Sequence, residues 1–127
     1  MTADIYQERI LDYYDAPFHE GECPDKTHEY EDENPICGDT VKFELKVEDG
    51  KLADAYFSGD GCIISQAAAS MLLEKVIGKS LEEIEQISPK QVLEDFGPRL
   101  TPNRQKCCLL SLQVLMIGLH SPVESAA

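Results

Sequence analysis

Cys37, Asp39, Cys62 and Cys107 are the residues whose types and spacing can do chemistry in this chain. They stand in Cys37-Gly38-Asp39, Gly59-Asp60-Gly61-Cys62 and Arg104-Gln105-Lys106-Cys107. Three thiolates and a carboxylate make a complete four-ligand set for a soft or borderline metal. One hard oxygen among soft sulfurs makes a weak corner, which suits a site that releases what it holds. In an extended segment Cys37 and Asp39, two residues apart, project to the same face. Cys62 precedes an Ala-rich helical pattern, and the positive end of a helix favours thiolate. Cys107 falls in the second turn of a last helix. Arg104 lies one turn back and Lys106 is adjacent, and both cations also favour thiolate there.

The remaining candidates read as structural. Cys108 sits about 100° round the helix from Cys107, beside Leu109 and Leu112, and reads as a small core hydrophobe. Cys23 lies in a loop without a partner motif and reads as a spectator. His19, His28 and His120 fall in loops or near a terminus and read as surface residues, with an approach of His19 or His28 to the site as the alternative. Glu82/Glu83 and Glu94/Asp95 read as solvated helix charge. There is no CxxC pair, GxGxxG, P-loop, GxSxG or HExxH, which removes several enzyme classes.

Elements that could position the four residues follow from periodicity. Residues 4–15 have helical spacing, with Ile5, Tyr6, Ile10, Tyr13 and Tyr14 on one face and Pro17 as the stop. Residues 18–35 read as loop, with a short edge strand around Thr27–Tyr30. The acidic run Glu29-Tyr30-Glu31-Asp32-Glu33 reads as solvated. Thr40–Glu48 alternates strictly, with Val41, Phe43, Leu45 and Val47 inward. Asp49-Gly50 signals a hairpin and Leu52–Ser58 the return strand. A helix follows from Ser65 to Ile77, closed by Gly78. Ser80-Leu-Glu-Glu83 is a capping box, Ser88-Pro89 opens a further helix ended by Gly97-Pro98, and Thr101-Pro102 opens the last, to about Leu119. The apolar run Leu109–Leu119 reads as core. Strands followed by helices predict an α+β domain with an antiparallel sheet.

At 127 residues the chain is long enough for one domain, 1–127, with a core that needs no staples. Its formal charge of −13 argues against nucleic acid and anionic membrane surfaces, and favours a partner with a basic docking face. Met1-Thr2-Ala3-Asp4 opens without an apolar signal segment, and no stretch reaches membrane-spanning length. A cytoplasmic location with reduced thiols is therefore expected. The odd count of five cysteines also fits a disulfide framework poorly.

Asn34-Pro35-Ile36-Cys37-Gly38-Asp39, Gly59-Asp60-Gly61-Cys62-Ile63-Ile64-Ser65 and Arg104-Gln105-Lys106-Cys107 together resemble the iron–sulfur cluster assembly scaffold family. That family includes IscU, SufU and the N-terminal domain of NifU. Ile10 to Pro17 is similar to the helix that ends in HYxNP in these proteins. The resemblance implies a three-stranded antiparallel sheet packed with helices. It also implies ligand roles for Cys37, Asp39, Cys62 and Cys107. Where the IscU branch has a histidine before its last cysteine, this chain has Lys106. Leu100-Thr101-Pro102-Asn103-Arg104 departs from the Leu-Pro-Pro-Val-Lys segment that recruits a chaperone, so chaperone use stays open. The Arg-x-Lys-Cys block is SufU-like, but the SufU insertion between the second and third cysteines is absent.

Two functions are thereby implied. In the first, the chain is a scaffold that takes sulfur from a cysteine desulfurase, joins it to Fe in a transient [2Fe–2S] cluster, and passes that cluster to apo acceptor proteins. In the second, Zn²⁺ sits in the same four ligands and Cys107, beside Arg104 and Lys106, accepts persulfide sulfur as a sulfurtransferase. A purely structural zinc site is the weaker alternative, because such sites use closed Cys/His sets on short loops. The chain is expected to be a monomer or a weak homo-oligomer.

Overall fold

A computed structural model describes residues 2–35, 38–97 and 100–123, with side chains from residue 8 onward. Among the described residues the order is α1 (Thr2–Asp15), β1 (His28–Asn34), β2 (Asp39–Glu48), β3 (Lys51–Asp60), α2 (Ile63–Val76), α3 (Leu81–Glu85), α4 (Pro89–Phe96) and α5 (Pro102–Gly118). The strands form an antiparallel sheet in the order β1-β2-β3. This is the α+β architecture that the element pattern predicts, with the three-stranded sheet that the family resemblance implies.

The alternation in β2 works as expected. Val41, Phe43 and Leu45 are fully buried and meet Leu52, Ala55 and Phe57 of β3 on the helix-covered face. A bulge at Lys46/Val47 breaks the register, so Val47 is only partly buried. Across this face lies α2, whose Ala67, Ala68 and Ala69 are small enough to seat the helix close to the strands. α2 in turn packs against α1 and α5. It is therefore buried on most sides, with Leu72, Leu73 and Val76 completing the core. α5 runs over β1 and β2 and buries Leu110, Leu112, Val114 and Leu115. The Leu109–Leu119 run is core, as read from the sequence.

One expectation is corrected. The edge strand expected around Thr27–Tyr30 is present but longer: the acidic run 29–33 is not a solvated loop but the body of β1, paired with β2 from His28↔Leu45 to Asn34↔Asp39. Alternation resolves the apparent conflict. Glu29 meets Lys26 and Lys42 at 3.1 and 3.4 Å, while Asp32 accepts from Gln113 Nε2 of α5 at 3.0 Å. An acidic edge strand also discourages edge-to-edge pairing with other sheets. Both capping boxes form as predicted, at Ser80/Glu83 and Ser88/Gln91.

Candidate metal centre

The sheet register gathers the site at one end of the strands. Asp39 opens β2 opposite Asn34, and Thr40 lies opposite Asp60 at the end of β3. Gly61 and Cys62 then turn the chain into α2. The first turns of α5 bring Cys107 over the same end, where Asn34 Nδ2 lies 3.8 Å from Cys107 Sγ.

Asp39 is 1% exposed. Its Oδ1 accepts the Cys62 backbone N–H at 2.8 Å, and the Cys62 thiol donates to Oδ2 at 3.4 Å. It has no ion pair among the described residues. A buried carboxylate without a cation is costly, and a metal ion would balance it. Cys62 is the N-cap of α2, with its sulfur accepting the Ser65 N–H at 3.5 Å. The helix start thus aims one backbone donor at this sulfur.

Ligand atoms of Asp39, Cys62 and Cys107 all lie within 4.8 Å of one another. Two sulfurs on one tetrahedral zinc ion lie about 3.8 Å apart, so side-chain adjustments of up to about 1 Å would bring the three onto a single ion. The donor set of two sulfurs and one oxygen fits zinc or iron. Cys37, the fourth expected ligand, lies outside the described residues. The flanking Gly38 N–H donates to Asn34 O at 2.7 Å, joining the residues either side of it.

Arg104 and Lys106 are exposed at the start of α5, whereas Cys107 is 2% exposed. Burial pushes the Cys108 thiol up to about 12. Cys23 is raised to about 11 by burial, with Asp54 and Glu44 adding to the effect. Both remain neutral thiols at neutral pH. Outside the cysteines, His19 stacks between Phe18 and Tyr56, with ring centroids 4.0 and 4.6 Å away. It fastens the start of the 18–23 segment to β3, where its Nδ1 lies 2.9 Å from Ala55 O, and it is not among the grouped ligands Asp39, Cys62 and Cys107.

Gly61 shows how tightly the site is built. Its φ is +136°, and a Cβ there would lie 2.3 Å from Asp39 Oδ1. Glycine is required both for the backbone conformation and for the space that the carboxylate occupies. Gln66 supports the site from behind. Its Nε2 donates to Thr40 O and to Ser65 Oγ, each at 3.1 Å, tying the start of β2 to the first turn of α2. Sequence reasoning gave neither Gln66 nor Asn34 a role. A lone polar amide within the Ala-rich pattern was the available signal for Gln66.

The chain matches the family described as NifU-like N terminal domain over residues 5–122. It belongs to that family. The family resemblance read from the three cysteine blocks is therefore correct. The chain is 49% identical to the iron-sulfur cluster assembly scaffold protein IscU of Thermotoga maritima over 80 residues, covering 63% of this chain and 56% of that protein. It is 29% identical to the zinc-dependent sulfurtransferase SufU of Bacillus subtilis, covering 91% of this chain and 89% of that protein. That alignment runs over 134 positions against the 127 residues here, so the relative carries inserted residues that this chain lacks. A solved structure of a putative iron-sulfur cluster assembly scaffold protein for the SUF system, from Fervidobacterium islandicum AW-1, superposes with a TM-score of 0.76 at 28% identity. The match covers 94% of this chain and 99% of that one. The aligned segment spans little more than half of the T. maritima relative. No helix among the described residues is long and apolar enough to cross a membrane.

Proposed function

We propose that this chain is a scaffold for iron–sulfur cluster assembly. In this reading it receives sulfur from a cysteine desulfurase, holds a [2Fe–2S] cluster as cargo, and passes it to apo acceptor proteins. The supporting observation is the convergence of Asp39, Cys62 and Cys107 at one sheet end in a member of this family. Cys37 would supply the fourth ligand.

The residues divide the work. Cys107 attacks the outer sulfur of a desulfurase persulfide, forming a new S–S bond as the desulfurase cysteine leaves as thiolate. Arg104 and Lys106 flank the approach to Cys107 and attract the anionic persulfide. Because Cys107 is buried, transfer requires it to be uncovered when the partner docks. Asp39 is the harder ligand, held by the Cys62 N–H, and it marks the corner from which the cargo leaves.

A second reading is favoured by one observation, the 91% coverage by a relative named as a zinc-dependent sulfurtransferase. Here Zn²⁺ would occupy the same ligands, and Cys107 would exchange off the metal to take the persulfide. The absence of the inserted residues speaks for the scaffold. Anaerobic purification decides between them, followed by incubation with desulfurase, cysteine, ferrous iron and dithiothreitol, the thiol reductant that takes persulfide sulfur to sulfide. Iron with acid-labile sulfide in equal amounts and a visible absorption band is expected. One tightly held zinc per chain with no band, and a stimulated desulfurase, would establish the transferase instead.

A further inference from the structure

A cleft of about 300 Å³ opens beside the metal centre, between the C-terminal end of α1 and the end of β3. Asp15, Glu20 and Asp60 stand on its walls with Tyr14 and Phe57, and no lysine or arginine among the described residues lines it. The three carboxylates are exposed and take part in no ion pair among the described residues. They are not a chelating set. The metal-ligand group among the described residues is Asp39, Cys62 and Cys107.

Gln66, also on the wall, is a second and independent feature. It is 8% exposed, and its Nε2 is engaged by Thr40 O and Ser65 Oγ. Its Oε1 accepts no hydrogen bond among the described residues. That oxygen faces Gly59, another wall residue, where a Cβ would lie 3.1 Å from it. A buried amide oxygen left without a donor is costly, and a donor arriving through the cleft would relieve it.

We propose that this cleft receives an arginine guanidinium presented by a basic partner protein. The guanidinium is planar, carries five donors and keeps its charge at all relevant pH. One edge donates to Gln66 Oε1, other donors reach the carboxylates, and the plane lies against an aromatic ring. A compact ammonium could not serve separated acceptors in this way. The chain's net charge of −13 draws basic surfaces towards it. The arginine would seat the partner beside Gly61, where a Cβ would lie 2.3 Å from Asp39 Oδ1.

The test uses the ¹⁵N-labelled full chain titrated with N-acetyl-arginine amide, with N-acetyl-citrulline amide as the neutral isostere. Saturable shifts are expected at the Gly59 and Gly61 amides and the Gln66 side-chain NH₂, with Kd about 1–10 mM. Citrulline should bind at least about tenfold more weakly, and the Glu20→Gln/Asp60→Asn double variant about fivefold more weakly. The shifts should persist in zinc-loaded protein, so the result does not depend on what the metal centre does. No saturation below about 100 mM would overturn the proposal. Equal binding of citrulline, or indifference to the double variant, would do the same. Loss of the response on zinc loading would put the guanidinium at Asp39 rather than in the cleft, and would also overturn it.

Discussion

At the level of single residues, the site rests on one buried carboxylate and the glycine that makes room for it. Asp39 accepts the Cys62 N–H and the Cys62 thiol, and it is the one hard donor among sulfurs. Replacing it with alanine should leave the thiolates to hold the cluster and remove the corner that opens most readily. Asp39→Ala is expected to lengthen the lifetime of a reconstituted [2Fe–2S] cluster, read as decay of visible absorption under a fixed acceptor concentration. An unchanged lifetime would remove Asp39 from the release step. Gly61→Ala acts on the same carboxylate from the other side, because the new methyl would fall 2.3 Å from Oδ1 at a φ of +136°. The expected result is a loss of about 1–3 kcal/mol in urea stability together with weaker zinc binding in chelator competition. The thiols should also rank by access. Cys62 is half-buried, Cys107 is 2% exposed, and Cys23 and Cys108 are held neutral by burial. Iodoacetamide at pH 8 should therefore label Cys62 ahead of Cys107, and leave Cys23 and Cys108 to the end, as peptide mass spectrometry would follow.

Among the elements, those with local chemical punctuation were the legible ones. Ser80/Glu83 and Ser88/Gln91 form the capping boxes that their spacing demands, and Thr101 caps α5 through the Arg104 N–H. Strict alternation located β2, and Asp49-Gly50 located its hairpin. β1 was legible only as a short edge strand around Thr27–Tyr30, and its continuation to Asn34 was missed, because glutamate and aspartate carry no strand signal of their own. What makes that segment a strand is non-local: Lys42 on β2 and Gln113 on α5 receive its charges. The candidate site divides in the same way. Its ligands stand in recognisable blocks, but the contact of Asn34 with Cys107 spans 73 residues, and the clamp from Gln66 to Thr40 spans 26. Neither has a local pattern. The caps also supply a control. Ser88 lies at the start of α4, which contributes no ligand to the metal centre. Ser88→Ala should cost about 1 kcal/mol of stability and leave zinc affinity unchanged, whereas Gly61→Ala should change both. Calorimetry beside chelator competition would separate the two effects.

Across the whole molecule, pH and metal act on the same folding equilibrium from different ends. Cys108 is fully buried and holds its proton up to about pH 12, while the same thiol in the unfolded chain ionises near its ordinary value of about 9. Below pH 9 it is neutral in both states and its contribution is complete. As pH rises from about 9 towards 12, only the unfolded state loses the proton, so stability falls, by up to about 1.4 kcal/mol per pH unit from this group. Urea unfolding of Cys108→Ala should show a shallower decline over that window than the unmodified chain, although its stability at pH 7 is lower. Parallel slopes would remove Cys108 from the effect. Metal works in the opposite direction. Asp39, Cys62 and Cys107 come from the start of β2, the cap of α2 and the first turns of α5. One ion therefore joins segments that an unfolded chain keeps far apart. Binding to the folded state alone stabilises by mass action, about 2.7 kcal/mol at a free zinc level near 100 times Kd. Zinc buffered at that level should raise the thermal midpoint of the unmodified protein. It should raise that of Cys108→Ala by as much, since Cys108 is no ligand, and should leave Cys107→Ser largely unmoved. An equal rise in Cys107→Ser would mean that the ion is held without α5, and the three-element centre would be wrong.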